Sequence, residues 1–299
     1  MRVFLVSARH EMLTARRTHT SNLLLVVFIG MVIASSVIGW VTHQTVTDVY
    51  DKVIADGLSS AVNPFAGISP LYYARNAVIY VLLIGSLMAI VLGVQSTLRD
   101  RRAATSDLVL SRPVGSGARL LGQLAGLGMI LAVAIGISMS ISWVIISSIT
   151  GAPLGWGDTA RLVAFSALSW MLLESFALLG MLTGLRSRQE TTALLVPFVI
   201  WSLVAFVLPQ IGTAARPVSL LNPVPAVNPP GGYFDLVSVL TDPLSVTEQF
   251  KRASSIVLQD STVTGDATSS VLILLAFLVL MTVVVALTPR ARMRSGLNE

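Results

Sequence analysis

Cysteine is missing from all 299 residues, and charged residues make up only 12% of them. Without cysteine there is no disulfide framework, thiolate metal site or cysteine nucleophile. The histidines, His10, His19 and His43, show no metal-ligand spacing, so no metal site is expected. No phosphate-cradling loop of the form GxxxxGK(S/T) occurs, and no nucleophile–base arrangement stands out. These absences argue against an enzyme, and any use of ATP must come through another chain. Nor is there a hydrophilic stretch able to build its own core, since the longest intervals between apolar runs are about 36 and 63 residues, at 41–76 and 208–270.

What the chain has instead is apolar length. Hydrophobic residues are 54% of it, and mean hydropathy is +0.79. Six apolar stretches stand out: Ser21–Trp40, Ala77–Val94, Leu120–Ile149, Leu162–Thr183, Thr191–Val207 and Val271–Leu287. Each is close to the ~20 residues that a helix needs to cross about 30 Å of hydrocarbon. Backbone groups in lipid must be bonded within their own segment, so the expected fold is all-α, a polytopic membrane protein with six transmembrane helices. The first stretch begins too far in for an ordinary cleaved signal sequence and reads as a permanent helix.

Arginine sets the orientation. Of the 20 Lys and Arg residues, 14 fall in alternate connecting segments: residues 1–20, the loop 96–119, a short loop with Arg186 and Arg188, and the tail 290–299. The positive-inside rule puts these segments, and both termini, on the cytoplasmic side of the cell membrane. The remaining six lie in segments that also hold nine Asp and Glu residues. A pI near 10.1 therefore follows from orientation and does not call for a nucleic-acid partner.

One membrane domain, residues 21–289, is expected between the N-terminal segment and the basic tail. Residues 2–17 read as an amphipathic helix in the cytoplasmic interface, with Phe4, Leu5, Ala8, Met12 and Ala15 on one face and Arg2, Arg9 and Arg16 on the other. A bare topology anchor is the alternative. The loop 96–119 holds a short helix candidate, Arg101–Leu110, ended by Pro113. It can carry force from a soluble partner or be a plain basic loop. The loop 208–270 holds seven of the 13 prolines. Near its end Val246, Phe250, Ala253 and Val257 repeat at helical spacing and predict a short amphipathic helix.

Within the spans, Gly85, Ala89 and Gly93 recur every four residues, and Gly122 and Gly126 open the third. Such spacing lets helix backbones approach closely. Pro197 interrupts the fifth span and predicts a bend. Glu174 is the one acidic residue inside a span. A carboxyl there is costly, so it either serves a hydrated path or is held protonated or paired, for which Ser166 and Ser169 are candidates.

Six spans, an amphipathic helix before the first and a basic segment after the second resemble the permease subunits of type-2 (type V) ATP-binding-cassette exporters. The segment from Asp100 to Ser116 carries the sharpest likeness. Thr105, Leu108, Leu110, Ser111, Pro113 and, further on, Gly122 fit the family pattern. Asp100 stands where the family has glutamate, Ala104 where it has glycine and Gln123 where it has lysine. Leu221-Asn222-Pro223 is similar to an element that the family carries before its last span. Overall proportions are most similar to the branch that matures nitrous oxide reductase.

The resemblance implies two copies of the chain, each resting on a cytoplasmic ATP-binding subunit that holds ATP and Mg, with no cofactor in this chain. Asp100, Arg101, Arg102, Thr105, Ser106, Asp107, Leu108, Leu110 and Pro113 would receive the motion of that ATPase. A path between the second and fifth spans would involve Gly85, Ser86 and Ala89 on one side and Thr192, Phe198 and Trp201 on the other, with Glu174 as a further candidate. Asn222 and Pro223 would mark an outer element, where an accessory or binding protein is expected. A mechanotransmitter or assembly module that passes no substrate is the alternative from another class.

Overall fold

The computed structural model describes residues 2–17, 19–58, 69–102, 116–187, 189–213, 221–226, 232–260, 263 and 265–288. All regular structure among them is helical. The order is α1 (Arg2–Arg17), α2 (His19–Ala55), a 3₁₀ turn (Pro70–Ala74), α3 (Ala77–Tyr80), a π turn (Val81–Gly85), α4 (Ser86–Arg102), α5 (Ser116–Thr150), α6 (Trp156–Arg186) and α7 (Glu190–Ser202). A second π turn (Leu203–Val207) leads into α8 (Leu208–Thr213), followed by α9 (Tyr233–Thr241), α10 (Val246–Val257) and α11 (Thr268–Ala286). Among the described residues, six segments are long and apolar enough to cross a membrane: Asn22–Ala55, Pro70–Leu98, Leu121–Thr150, Trp156–Arg186, Glu190–Ile211 and Thr268–Ala286.

Helix α2 runs well past the apolar stretch that starts it. Its 37 residues measure about 55 Å at 1.5 Å per residue, more than a bilayer core needs. From Val41 to Ala55 no glycine or proline interrupts the backbone ladder, so the helix continues until Gly57. There φ is +68°, and the bonds Leu58 N to Val53 O (3.0 Å) and Gly57 N to Ile54 O (3.0 Å) close a Schellman motif.

The fourth span, α6, is the hub, touching α4, α5, α7, α10 and α11. Its contact with α4 is backbone to backbone. A Cβ on Gly93 would collide with the Ala177 carbonyl, one on Gly180 with the Ile90 carbonyl, and one on Gly184 with Thr97 Oγ1. The predicted small-residue spacing of the second span thus has a matching set on α6, Ala177, Gly180 and Gly184. Apolar side chains are as content in lipid as in each other, so close van der Waals packing of this kind is what holds membrane helices together.

Gly126 serves a different partner than another span. A Cβ there would come within 2.8 Å of the Ala8 carbonyl and of Glu11 Cβ, so α1 packs directly on α5. Spans one and three are joined further along by the Ser36–Ser142 hydroxyl pair at 3.0 Å. Pro197 sits inside α7 and offers no N–H to the carbonyl four residues back, that of Ala193. Thr183 Oγ1 fills the gap, donating to Ala193 O at 3.1 Å while also lying 2.9 Å from Gly180 O. At the start of α11, hydrogen bonds from the Thr268 hydroxyl and backbone hold the Asp266 carboxyl below the ordinary carboxylate range.

Two glycines separate packing from mere helix preference. Gly180→Val should cost toward the upper end of the ~1–3 kcal/mol typical of overpacking, because the obstacle is backbone. Gly136 meets nothing within 4 Å, so Gly136→Ala should be neutral or stabilising by up to about 1 kcal/mol. Melting temperatures of the two purified variants check this; a Gly180→Val chain as stable as the natural one contradicts the packing described.

Candidate functional site: a polar cap across the second and fifth spans

Helix α10 closes the end of the bundle at which the second, fourth and sixth spans begin. The sequence predicts one buried face, and Val246, Phe250 and Ala253 are indeed buried. Phe250 packs on Phe165 of α6 with ring centroids 6.1 Å apart. The opposite, polar face is buried as well: Thr247, Glu248, Gln249, Lys251, Ser254 and Ser255 are all shielded from solvent. An amphipathic helix with a wet face is therefore not what forms here, because the chain before and after α10 folds over its polar side.

Burial drives such groups to find partners, and Thr247, Glu248, Gln249 and Lys251 have them, whereas the Ser254 and Ser255 hydroxyls have none among the described residues. Lys251 Nζ lies 2.7 Å from Glu248 Oε1, with the two side chains 0% and 4% exposed. The other oxygen, Oε2, accepts from the Ala226 N–H at 2.8 Å. Gln249 Nε2 donates to Asp242 O at 2.9 Å, and Gln249 Oε1 accepts from Ser270 Oγ of α11 at 2.7 Å. Asn222 turns the preceding segment by accepting from Val224 N at 3.1 Å, and Pro223 beside it is buried.

Two further links tie this cap to the second span. Arg75, at the end of the 3₁₀ turn, lies 3.0 Å from Asp260 and stacks 4.3 Å above the Tyr72 ring. Ser69 Oγ donates to Gln259 Oε1 at 2.7 Å. Gln259 ends α10 at φ +58°, a place where glycine is the usual residue. Asp260 N to Ser255 O (2.9 Å) and Gln259 N to Ile256 O (3.2 Å) complete that Schellman turn. A left-handed glutamine costs about 1–2 kcal/mol in backbone terms, and here its side chain makes a bond that glycine has no atoms to make.

A third link reaches the fifth span. Thr247 Oγ1 donates, at 3.4 Å, to the carbonyl of Val204 inside the π turn Leu203–Val207. The other π turn among the described residues, Val81–Gly85, lies in the second span, where Ser86 Oγ donates to Val81 O at 3.3 Å. Single π turns loosen the regular ladder of a helix and are frequent at functional sites. The cap bridges the two spans that contain them.

The residues nominated from sequence fall into three groups. Gly85, Ser86 and Ala89 are buried within the protomer, Gly85 against Leu173 and Phe28. On the fifth span Trp201 is buried, touching Phe198 and Phe206 at 5.7 and 5.6 Å, whereas Phe198 and Thr192 are exposed. The protomer does not bring Ser86 and Thr192 onto one open surface. Glu174 is 6% exposed and faces the Gly128 backbone of α5, where a Cβ would stand 3.2 Å from its carboxylate. Trp170 Nε1 donates to Gly128 O at 2.9 Å alongside. Among the described residues Glu174 Oε2 has no hydrogen-bond partner. Ser166 and Ser169 are not its partners; each donates to a carbonyl of its own helix, Leu162 O and Phe165 O.

Asp100, Arg101 and Arg102 end α4, while Thr105, Ser106, Asp107, Leu108, Leu110 and Pro113 lie outside the described residues, as does most of the short helix predicted there. Sequence reasoning missed the Glu248–Lys251 pair, counting both only among the charges of the outer segments, although their three-residue spacing suits a helical pair. It also left Glu11 unplaced, yet this residue is buried against Gly126.

A family model described as "ABC-2 family transporter protein" matches residues 5–291. No curated protein matches the chain.

Glu248→Gln removes the carboxylate that a fully buried ammonium faces. It should cost about 3–5 kcal/mol, as expected for breaking a buried pair from one side. Adding Lys251→Met should recover a large part of that loss. Thermal unfolding of the single and double variants reads the difference, and additive losses contradict a coupled pair.

Proposed function

The chain belongs to the ABC-2 family of transporter proteins, and from that premise we propose that two copies of it form a permease dimer driven by two cytoplasmic ATP-binding subunits. The chain is a multi-pass membrane protein and the membrane component of an ABC transporter. ATP and Mg belong to the partner ATPase, and both termini of this chain face it. The residues from Asp100 to Pro113, together with α1, which packs on α5, receive the ATPase's motion.

Supporting this reading is the cap, which bonds to the second span through Arg75 and Ser69 and to the fifth through Val204. A path between those spans is closed at the outer end by α10 and opens when the cap gives way. Gly85 ends one π turn, Ser86 and Ala89 follow it, and Trp201 comes just before the other. Being buried in the protomer, they meet cargo only after the spans separate. Thr192 and Phe198 are exposed from the start. Glu174, with an unpartnered oxygen, serves the same movement from the inner side of α6.

One observation favours the second reading, a mechanotransmitter that passes no substrate. The exposed surface of the fifth span is chiefly apolar, including Leu195, Phe198, Val199 and Leu203. Such a surface offers no polar lining to a hydrophilic cargo and suits a sealed interface that only transmits force. In that case Asn222, Pro223 and the cap present an accessory protein outside with the ATPase's motion, as in the branch that matures nitrous oxide reductase.

The coupling segment provides the test. Asp107→Arg and Leu108→Asp each place an unsuited charge in the ATPase contact, at a cost on the order of 2–5 kcal/mol. Tagged chain should co-purify an ATP-binding protein, and either variant should lose it while still inserting and dimerising. Unchanged recovery of the ATPase with both variants, at natural ATP turnover, overturns the assignment.

A further inference from the structure

We infer that the groove between α6 and α7 is a binding site for an anionic phospholipid of the cytoplasmic leaflet. The groove encloses about 540 Å³. Leu179 and Leu182 form one wall, Val196 and Ile200 the other, and Arg186, Ser187 and Gln189 surround the mouth. From Gln189 to Ile200 the chain climbs about 16 Å at 1.5 Å per residue. That is the depth of one leaflet's hydrocarbon, about half of 30 Å. An apolar slot of acyl-chain depth thus ends in a guanidinium at headgroup level.

Arg186 is exposed and makes no hydrogen bond or ion pair among the described residues. Of the two threonines in the walls, Thr183 and Thr192, Thr183 spends its hydroxyl on the Gly180 and Ala193 carbonyls. Glu190, the acid nearest in sequence, is engaged in a contact of its own. Among the described residues, then, no carboxylate is bonded to Arg186, and its guanidinium is available to an anionic headgroup. Basic pockets between spans on the cytoplasmic side suit anionic headgroups, each Arg or Lys there contributing about a fivefold preference. A second copy of the chain is a poorer occupant, because its own cytoplasmic segments are arginine-rich and like charges facing across an interface repel.

The inference needs the turn 187–189 to be cytoplasmic, which labelling of a cysteine at position 187 with an impermeant reagent measures by itself. The binding test uses the purified full-length chain without any ATPase, so it is independent of coupling. Native mass spectrometry would compare phosphatidylglycerol with phosphatidylcholine of the same acyl chains, with glycerol phosphate as chainless competitor. The expected result is a preference of roughly fivefold for phosphatidylglycerol, retained in Arg186→Lys and abolished in Arg186→Gln. Val196→Trp, which fills the slot, should weaken both lipids. Three outcomes overturn the site: a preference that survives Arg186→Gln, lipid binding untouched by Val196→Trp, or displacement of phosphatidylglycerol by glycerol phosphate alone, which would mean an anion site without a lipid slot.

Discussion

The contact of the second and fourth spans at their backbones is the constraint on which the rest of the structure hangs. Gly93 against Ala177, Gly180 against Ile90 and Gly184 against Thr97 leave no room for a side chain. Because lipid gives apolar side chains no reason to leave it, this close approach, and not burial from water, fixes one helix against the other. With α4 locked to α6, the remaining spans take their places around α6. Phe165 offers a seat for the cap at one end, Trp170 and Glu174 meet α5 in the middle, and Thr183 holds the proline-freed carbonyl of α7 toward the other end.

The fifth span is held quite differently. Its surface is largely exposed, a proline breaks its ladder, and a π turn follows five residues after that proline's neighbour Phe198. It packs on α6 and α4, and its hydrogen bonds to other elements include Thr183–Ala193 toward one end and Thr247–Val204 toward the other. A rigid pair of spans beside a loosely tied one is the arrangement an alternating path requires, with α10 as the element that bonds to both. Polar groups in α10 make this closure specific, since a buried Lys251–Glu248 pair satisfies its bonds in one arrangement only.

The spans were legible in the sequence because lipid imposes a length and a composition that few other structures need. Their ends were less so. No continuous apolar run marks Val41–Ala55, which is helical because nothing stops it before Gly57. The apolar side of α10 could be read from its spacing, but not the burial of Glu248 and Lys251, since that depends on residues 222–226 folding across them. Gly126 announced a close approach without naming its partner, and α1 could not be foreseen there because Glu11 looks like a surface charge. Glu174 was found by its cost in the membrane; its environment, a glycine backbone and an unpartnered oxygen, depends on how α5 and α6 meet.

Locking the cap is the most direct test of the account. Ser69 and Gln259, whose side chains meet at 2.7 Å, can be replaced as Ser69→Cys and Gln259→Cys in a chain that has no other cysteine. With the partner ATPase present in native membranes, bridging this pair with a short bis-methanethiosulfonate crosslinker, whose span replaces the lost length of the glutamine side chain, should stop ATP-driven turnover, and a reductant should restore it. Full turnover with the crosslink formed would show that the cap does not open, and would contradict the account.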